Sequence, residues 1–305
     1  MSTVLVTGSS GFIGRNLVKR LLKDSIKVIG IDMEDNLFAD SIDGDLSKNF
    51  TFLKGDLRDG NFMERISGDP IDSIVHLAAF TRVVESVAKP KEYFENNVVV
   101  TQRLMDMAVQ KNIGKFILAS TNAVAGDVGF NTITDRNVLY PQSPYGATKA
   151  ASEMMLSSYR SSFGLSTVRL RFTNIYGTDM ATKDSFIARM CKAALGDKRI
   201  AVYGDGHQVR DYIYLGDVLN VIRAALFKDC PEVVVVGSGS SISVNDLVKK
   251  VEQATEIKFE IDYQEAKKGE MKAVIVDNHS IEFASLDQIT SLEVGLQKTW
   301  FWGLE

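Results

Sequence analysis

Tyr145 and Lys149 stand four residues apart in a stretch, Tyr145 to Phe163, that has the apolar spacing of a helix. Residues at that separation share a helical face, so an ammonium can lie near a phenol and favour its deprotonated form. A tyrosine so placed can take a proton from a hydroxyl near neutral pH and return it. Ser120 and Thr121 close a preceding apolar strand, Lys115 to Ser120, at the edge where doubly wound sheets bind ligands. Thr121 could hydrogen-bond a substrate oxygen while Tyr145 exchanges its proton. A Ser/Thr turn that merely caps the strand would use the same two residues.

A second motif bears on that choice. Val4 to Thr7 reads as a buried strand, followed by Gly8, Gly11 and Gly14 at the spacing GxxGxxG and by a helix beginning near Phe12. Glycines let backbone amides approach a pyrophosphate, and the helix start adds unpaired N–H groups and a positive dipole end. An ordinary tight turn would also use three glycines. The next strand, Lys27 to Ile31, ends in Asp32. It lies roughly twenty residues past the glycine turn, where a carboxylate meets the adenosine ribose hydroxyls of a dinucleotide. That carboxylate repels a 2′-phosphate and no arginine directly follows it, so NAD is the expected cofactor.

The elements that must position these residues alternate along the chain. Strands are expected at Thr51 to Lys54, Ser73 to His76, Thr167 to Phe172 and Glu232 to Val236, with helices at Pro90 to Lys111, Tyr145 to Phe163 and Asp184 to Leu195. This predicts an α/β fold built on a doubly wound parallel sheet of the Rossmann type. After Gly177 the alternation lapses, and beyond Gly237 the chain reads as a helix near Val244 to Thr255 and a strand near Lys258 to Tyr263. The expected organisation is an NAD-binding domain from 1–176 with 211–237, and a smaller α/β substrate lobe from 177–210 with 238–305.

Composition excludes other classes. A net charge of −4 gives no footprint for nucleic acid. Cys191 and Cys230 are the two cysteines, too few for a disulfide framework. Neither His76 nor His207 has a partner at metal-ligand spacing, so no metal is expected. The first strand leaves no room for a signal peptide and no apolar run approaches a membrane span, which predicts a cytoplasmic protein with neither membrane nor nucleic-acid partners.

Seven segments in order carry a family resemblance: TGSSGFIG (Thr7 to Gly14, with Phe12 and Ile13 opening the helix), GDLRD (Gly55 to Asp59), HLAA (His76 to Ala79), STNAVAG (Ser120 to Gly126), YGATK (Tyr145 to Lys149), RFTNIYG (Arg171 to Gly177) and YGDGHQVRDYIY (Tyr203 to Tyr214). Across nearly its whole length the chain resembles the extended short-chain dehydrogenase/reductases, in particular their nucleotide-sugar epimerase and dehydratase branch and its UDP-glucose 4-epimerases. The resemblance implies that Asp56 and Leu57 meet the adenine, that Leu77, Ala78, Ala79 and Asn96 line the cofactor, and that Thr121, Tyr145 and Lys149 are catalytic. It further implies that Asn174 and Arg210 hold a nucleotide diphosphate. A planar guanidinium suits two phosphate oxygens, while an ion pair with a carboxylate is the structural alternative for Arg210. Lys267 replaces a second arginine usual in the family. By the same analogy the helices Pro90 to Lys111 and Tyr145 to Phe163 form a homodimer core.

Departures from the family pattern narrow the reaction. The 4,6-dehydratases follow the catalytic threonine with Asp and Glu, and decarboxylases tend to carry Glu at the second position; here Asn122 and Ala123 follow Thr121. A 4-epimerase acting through a 4-keto sugar needs one acid/base, one hydride acceptor and freedom for the sugar to turn. A ketoreductase, decarboxylase or dehydratase, or a non-catalytic dinucleotide sensor, remain alternatives. Ala125 replaces a tyrosine usual in the family, and Val274 falls where related epimerases carry either a tyrosine or a smaller residue. A roomier pocket that accepts N-acetylhexosamines as well as UDP-glucose and UDP-galactose is expected.

Overall fold

The computed structural model describes residues 2–36, 42, 44–66, 70–180, 183–266, 271–286 and 288–302. Its strands are β1 (Thr3–Thr7), β2 (Lys27–Asp32), β3 (Phe50–Lys54), β4 (Ser73–His76), β5 (Lys115–Thr121), β6 (Thr132–Ile133), β7 (Thr167–Phe172), β8 (Asn174–Tyr176), β9 (Arg199–Tyr203), β10 (Val209–Tyr214), β11 (Val233–Val236), β12 (Ser241–Ser243), β13 (Glu260–Gln264) and β14 (Ile275–Val276). The helices are α1 (Phe12–Lys23), α2 (Gly44–Ser47), α3 (Gly60–Ile66), α4 (Val83–Ala88), α5 (Pro90–Phe94), α6 (Val100–Gln110), α7 (Pro144–Phe163), α8 (Phe186–Leu195), α9 (Leu215–Phe227), α10 (Val244–Thr255) and α11 (Leu292–Trp302).

Seven strands form the main sheet in the order β11-β7-β5-β4-β1-β2-β3. The pairs β1–β2, β1–β4, β2–β3 and β4–β5 are all parallel. Strands covered on both faces become apolar without alternation, and every residue of β1 is buried. On one face Leu5, Ile29, Ile74, Phe116 and Leu118 pack with Phe62 of α3, Leu104 of α6 and Leu156 of α7. Strand order reverses between β1 and β4, which is where such sheets open a crevice at the carboxyl ends of their strands.

The chain divides into two compact units. The first comprises Met1–Gly126, Leu139–Arg171 and Ile222–Val234; the second comprises Asp127–Val138, Phe172–Val221 and Val235–Glu305. The organisation expected from sequence places 172–176 and 211–237 with the dinucleotide domain, whereas most of these residues fall in the second unit. The reason is strand pairing. β8 runs parallel to β10 with Tyr212 opposite Asn174, and β10 pairs antiparallel with β12 with Arg210 opposite Ile242, forming a separate three-stranded sheet. The second unit also holds the parallel pairs β9–β13 and β6–β14.

The expected helix Pro90 to Lys111 is present with one modification. Between α5 and α6 the backbone takes a π-helical turn over Glu95–Val99. Such turns insert an extra residue and re-aim the side chains around it. Among the described residues no helix is long and apolar enough to cross a membrane.

Asp211 fastens the second unit's sheet. Fully buried, it accepts hydrogen bonds from Thr173 Oγ1 (2.8 Å), Ser238 N (2.9 Å) and Ser238 Oγ (2.7 Å). Asp211→Ala leaves these donors without their acceptor and should destabilise the protein by about 2–4 kcal/mol. A fall in the urea midpoint at an unchanged slope is the measure.

Candidate functional site

In the first unit, the turn after β1 is shaped by glycines. Gly8 has φ +70°, and a Cβ there would stand 2.7 Å from the Ala78 nitrogen. A Cβ on Gly14 would come within 2.0 Å of the Gly8 carbonyl oxygen. Helix α1 starts at Phe12 and Ile13 with no side-chain cap and no acidic residue in its first turn. Its first N–H groups and dipole end therefore suit an anion. Asp32 stands over this turn, accepting from Ser10 N (2.9 Å) and Glu34 N (3.1 Å).

The turn opens onto a cavity of about 240 Å³ lined by Gly8, Gly11, Asp32, Asp56, Leu57, Leu77, Ala78, Ala79 and Asn96, together with Ile31, Met33, Gly55, Phe80 and Val100. Nine residues singled out from sequence thus share one cavity; Phe12, Ile13 and Gly14 lie in the helix start behind it. Its other end is held by Arg58, whose Nη2 lies 2.6 Å from Asp56 Oδ2 and whose guanidinium stacks 5.6 Å from the Phe80 ring centre. This pairing holds the Asp56 carboxyl below its usual range.

Tyr145 and Lys149 occupy the first two turns of α7. The helix is started by Pro144 and capped by Ser143, whose Oγ accepts from Gly146 N at 3.1 Å. Tyr145 N donates to Ser86 Oγ of α4 (3.1 Å), fixing the first turn from outside. Burial pushes the Tyr145 phenol up to about 12, and a hydrogen bond with the Thr121 side chain pulls the other way. Lys149 does not figure among the groups acting on the phenol. The Lys149 amine acts on the His76 ring and is itself acted on by the Glu153 carboxylate. Lys149 is 2% exposed. Burial lowers its pKa to about 8, against the opposing pull of the Glu153 carboxylate.

Ser120 and Thr121 part company, as neighbours on a strand must. Ser120 Oγ donates inward to Glu153 Oε1 at 2.5 Å, while Thr121 meets the phenol. His76 is structural. Thr101 Oγ1 donates to Asn97 O (2.6 Å), so the contact with His76 Nε2 (2.9 Å) requires the imidazole to donate there. Nδ1 then accepts from Thr7 Oγ1 (2.7 Å), and burial holds the ring neutral with a pKa near 3.

Asn97 is a positioning residue that sequence inspection missed. Its Nδ2 donates to Phe80 O (2.9 Å) and Thr148 Oγ1 (3.0 Å), and its Oδ1 accepts from Phe80 N (2.9 Å) and Asn96 Nδ2 (3.1 Å). It thereby ties the cavity wall to the helix that carries Tyr145 and Lys149. Its only sequence signal is its place beside Asn96, because the π-helical turn that aims the two asparagines apart has no distinct periodicity.

The second unit contains Asn174 and Arg210. Exposed Asn174 donates from Nδ2 to Asp211 O (2.9 Å), on the strand paired with its own, and Arg210 on that same strand donates from Nη1 to Val209 O (2.8 Å). Lys267 lies outside the described residues. Val274 is 2% exposed and donates its N–H to Val209 O at 2.9 Å, while Ala125 is buried in a 3₁₀ turn of the first unit. Among the described residues no group of three or more His, Cys, Asp or Glu could hold a metal ion.

The sequence profile of the GDP-mannose 4,6 dehydratase family matches residues 5–289, and the chain belongs to that family, in the nucleotide-sugar epimerase and dehydratase branch of the extended short-chain dehydrogenase/reductases. A Bacillus subtilis protein described as an uncharacterized UDP-glucose epimerase is 33% identical over 96% of this chain and 95% of its own. The UDP-N-acetylglucosamine 4-epimerase of Methanobrevibacter ruminantium, solved with UDP-N-acetylmuramic acid, superposes with a TM-score of 0.91 at 30% identity, covering 99% of this chain and 98% of its own. The Thermus thermophilus UDP-glucose 4-epimerase, crystallised with NAD, superposes with a TM-score of 0.89 at 28% identity and 99% coverage of both chains. Dehydratases are also among the relatives.

The depressed lysine pKa has a stability consequence whose sign is fixed. Below pH 8 the folded protein carries a buried ammonium that the unfolded chain holds more comfortably, and the penalty fades as pH rises from about 8 toward the ordinary value of 10.5. Lys149→Met should therefore stabilise the protein at pH 7, by up to about 3 kcal/mol. Denaturant midpoints of both proteins should converge above pH 10.

Proposed function

We propose that the protein is an NAD-dependent nucleotide-sugar 4-epimerase, acting on UDP-hexoses and accepting N-acetylhexosamines. The observation that carries this is the assembly in the first unit of a threonine-bonded tyrosine and a buried lysine on one helix, tied through Asn97 to the wall of a glycine-edged cavity. NAD fits that cavity on this chain's own features: the glycine crossing where a Cβ would collide, the uncapped start of α1, and the Asp32 carboxylate. When bound it supplies a hydride acceptor and a positive charge that lowers the nearby phenol. The gap between a tyrosine at about 12 and neutral pH needs that help.

In this mechanism Tyr145 takes the proton of the sugar C4 hydroxyl as hydride leaves C4, and Thr121 orients the reacting oxygen. Lys149 would hold the nicotinamide ribose of bound NAD. Tyr145 then returns the proton to the C4 oxygen once the 4-keto sugar has turned its opposite face toward the cofactor site, where bound NAD would supply the hydride. Asn174, Arg210 and Lys267 grip the diphosphate, so that the hexose alone is free to rotate. A firm grip on one half and a loose one on the other is what inversion requires, since rigid positioning would restore the starting epimer. The first unit serves the cofactor and the second the nucleotide sugar, in a cytoplasmic homodimer.

The residues after Thr121 support epimerisation over dehydration. Asn122 and Ala123 form a 3₁₀ turn, and neither offers the carboxyl a second proton transfer needs.

Incubation with a panel of nucleotide sugars should invert C4 of UDP-glucose, UDP-galactose and their N-acetyl counterparts without added cofactor and without net NADH, read by product NMR and absorbance. Net reduction or loss of water would overturn the assignment, and turnover restricted to non-acetylated sugars would overturn its substrate range. Tyr145→Phe should lower kcat roughly a hundred- to ten-thousand-fold while retaining bound NAD.

A further inference from the structure

The Ser120–Glu153–Arg171 cluster lies beneath the site and takes no part in the mechanism above. Glu153 is 1% exposed on α7, and Arg171 on β7 is 3% exposed. Arg171 Nη2 donates to Glu153 Oε2 at 2.8 Å and its Nε lies 3.1 Å from Oε1, which also accepts from Ser120 Oγ at 2.5 Å. The carboxylate is thus pinned from two different strands. Lys149 precedes it by four residues on the same helix, and both side chains are buried. Same-face residues one turn apart are neighbours.

We propose that Glu153 is a positioning residue for Lys149: anchored by Ser120 and Arg171, its carboxylate holds the buried amine in its charged form, so that it meets the cofactor as a cation. The proposal rests on the role given to Lys149 above, but the charge on the amine is a property of this chain alone.

The surroundings of Lys149 leave Glu153 as its source of negative charge. His76 of β4 is neutral, the Tyr145 phenol is protonated, Tyr93 of α5 acts on that phenol, and Arg171 brings a second positive charge. A lysine this deeply buried falls several pH units when nothing compensates it. Here it stays near 8 with the carboxylate pulling upward, so loss of that pull lowers it further. A purely structural ion pair would be expected to stabilise the sheet without altering the amine. Many buried pairs do no more than balance their own desolvation.

The test follows the lysine amine by ¹⁵N NMR of lysine-labelled protein across pH, with the Lys149 signal identified by its absence in Lys149→Met. In Glu153→Gln, which keeps side-chain shape and much of the hydrogen bonding, the Lys149 midpoint should fall by at least about one pH unit, a tenfold change in proton affinity. Affinity for NAD at pH 7.5 should weaken in parallel and recover as pH is lowered. Ser120→Ala, which keeps the carboxylate, should leave the midpoint nearly in place. An unshifted midpoint in folded Glu153→Gln overturns the proposal. Should circular dichroism show that this variant does not fold, the double variant Glu153→Gln with Arg171→Met replaces the pair by neutral groups and must still show a fall, smaller than that of the single variant because the positive charge of Arg171 goes as well. No nucleotide sugar is used, so a shifted midpoint with no epimerisation would refute the proposed reaction and leave the role of Glu153 standing.

Discussion

An ammonium taken out of water is a standing cost that a protein meets only where something else depends on it, and the interior of the first unit is arranged around one such group, Lys149. The carboxylate on the next turn of α7, to which we assign the survival of that charge, is fixed by a β5 hydroxyl and a β7 guanidinium. Those contacts explain why two strands of the main sheet carry polar side chains at buried positions that apolar residues would otherwise fill. The neutral His76 belongs to the same economy of charge: with both ring nitrogens hydrogen-bonded, it adds no second cation beside the amine.

Positional precision comes from hydrogen bonds that cross between elements. The first turn of α7 is tied to α4 by Ser86, and its second turn is tied to the π-helical segment and to the loop after β4 by Asn97. An asparagine that uses every donor and acceptor it has cannot move without losing bonds in several directions. Tyr145 and the cavity wall are therefore parts of one rigid framework, as a proton donor and acceptor must be if its reach is to be set to within a fraction of an ångström. In the second unit Asp211 does comparable work for the strand pair that carries Asn174 and Arg210.

Much of this was legible beforehand because it rests on local rules. The glycine turn with Asp32, the strands β4 and β7, and the helix α10 all lie where periodicity and turn chemistry place them. Of the cavity lining, Gly8, Gly11 and Asp32 follow from the same source, while Asp56, Leu57, Leu77, Ala78, Ala79 and Asn96 were expected from the family resemblance. The short strands β6, β8, β12 and β14 were not legible. Two- and three-residue strands have no period to detect, and their existence depends on partners far away in the chain. The division at 172–221 escaped for that reason, since it turns on the pairing of β8 with β10.

By itself, then, the amino-acid sequence determined the doubly wound sheet and the glycine-edged turn at its switch point, and singled out Thr121, Tyr145 and Lys149 as candidates, because glycine spacing, strand ends and the four-residue helical repeat are all written in residue types. Tertiary structure alone decided the ionisation of that set. The phenol rises toward 12 and the amine falls toward 8 through burial, and the groups opposing those shifts, Thr121 for the phenol and Glu153 for the amine, act through contacts and fields whose strength no spacing reveals. Desolvation is a property of everything packed around a group, and it exists only once the chain has folded.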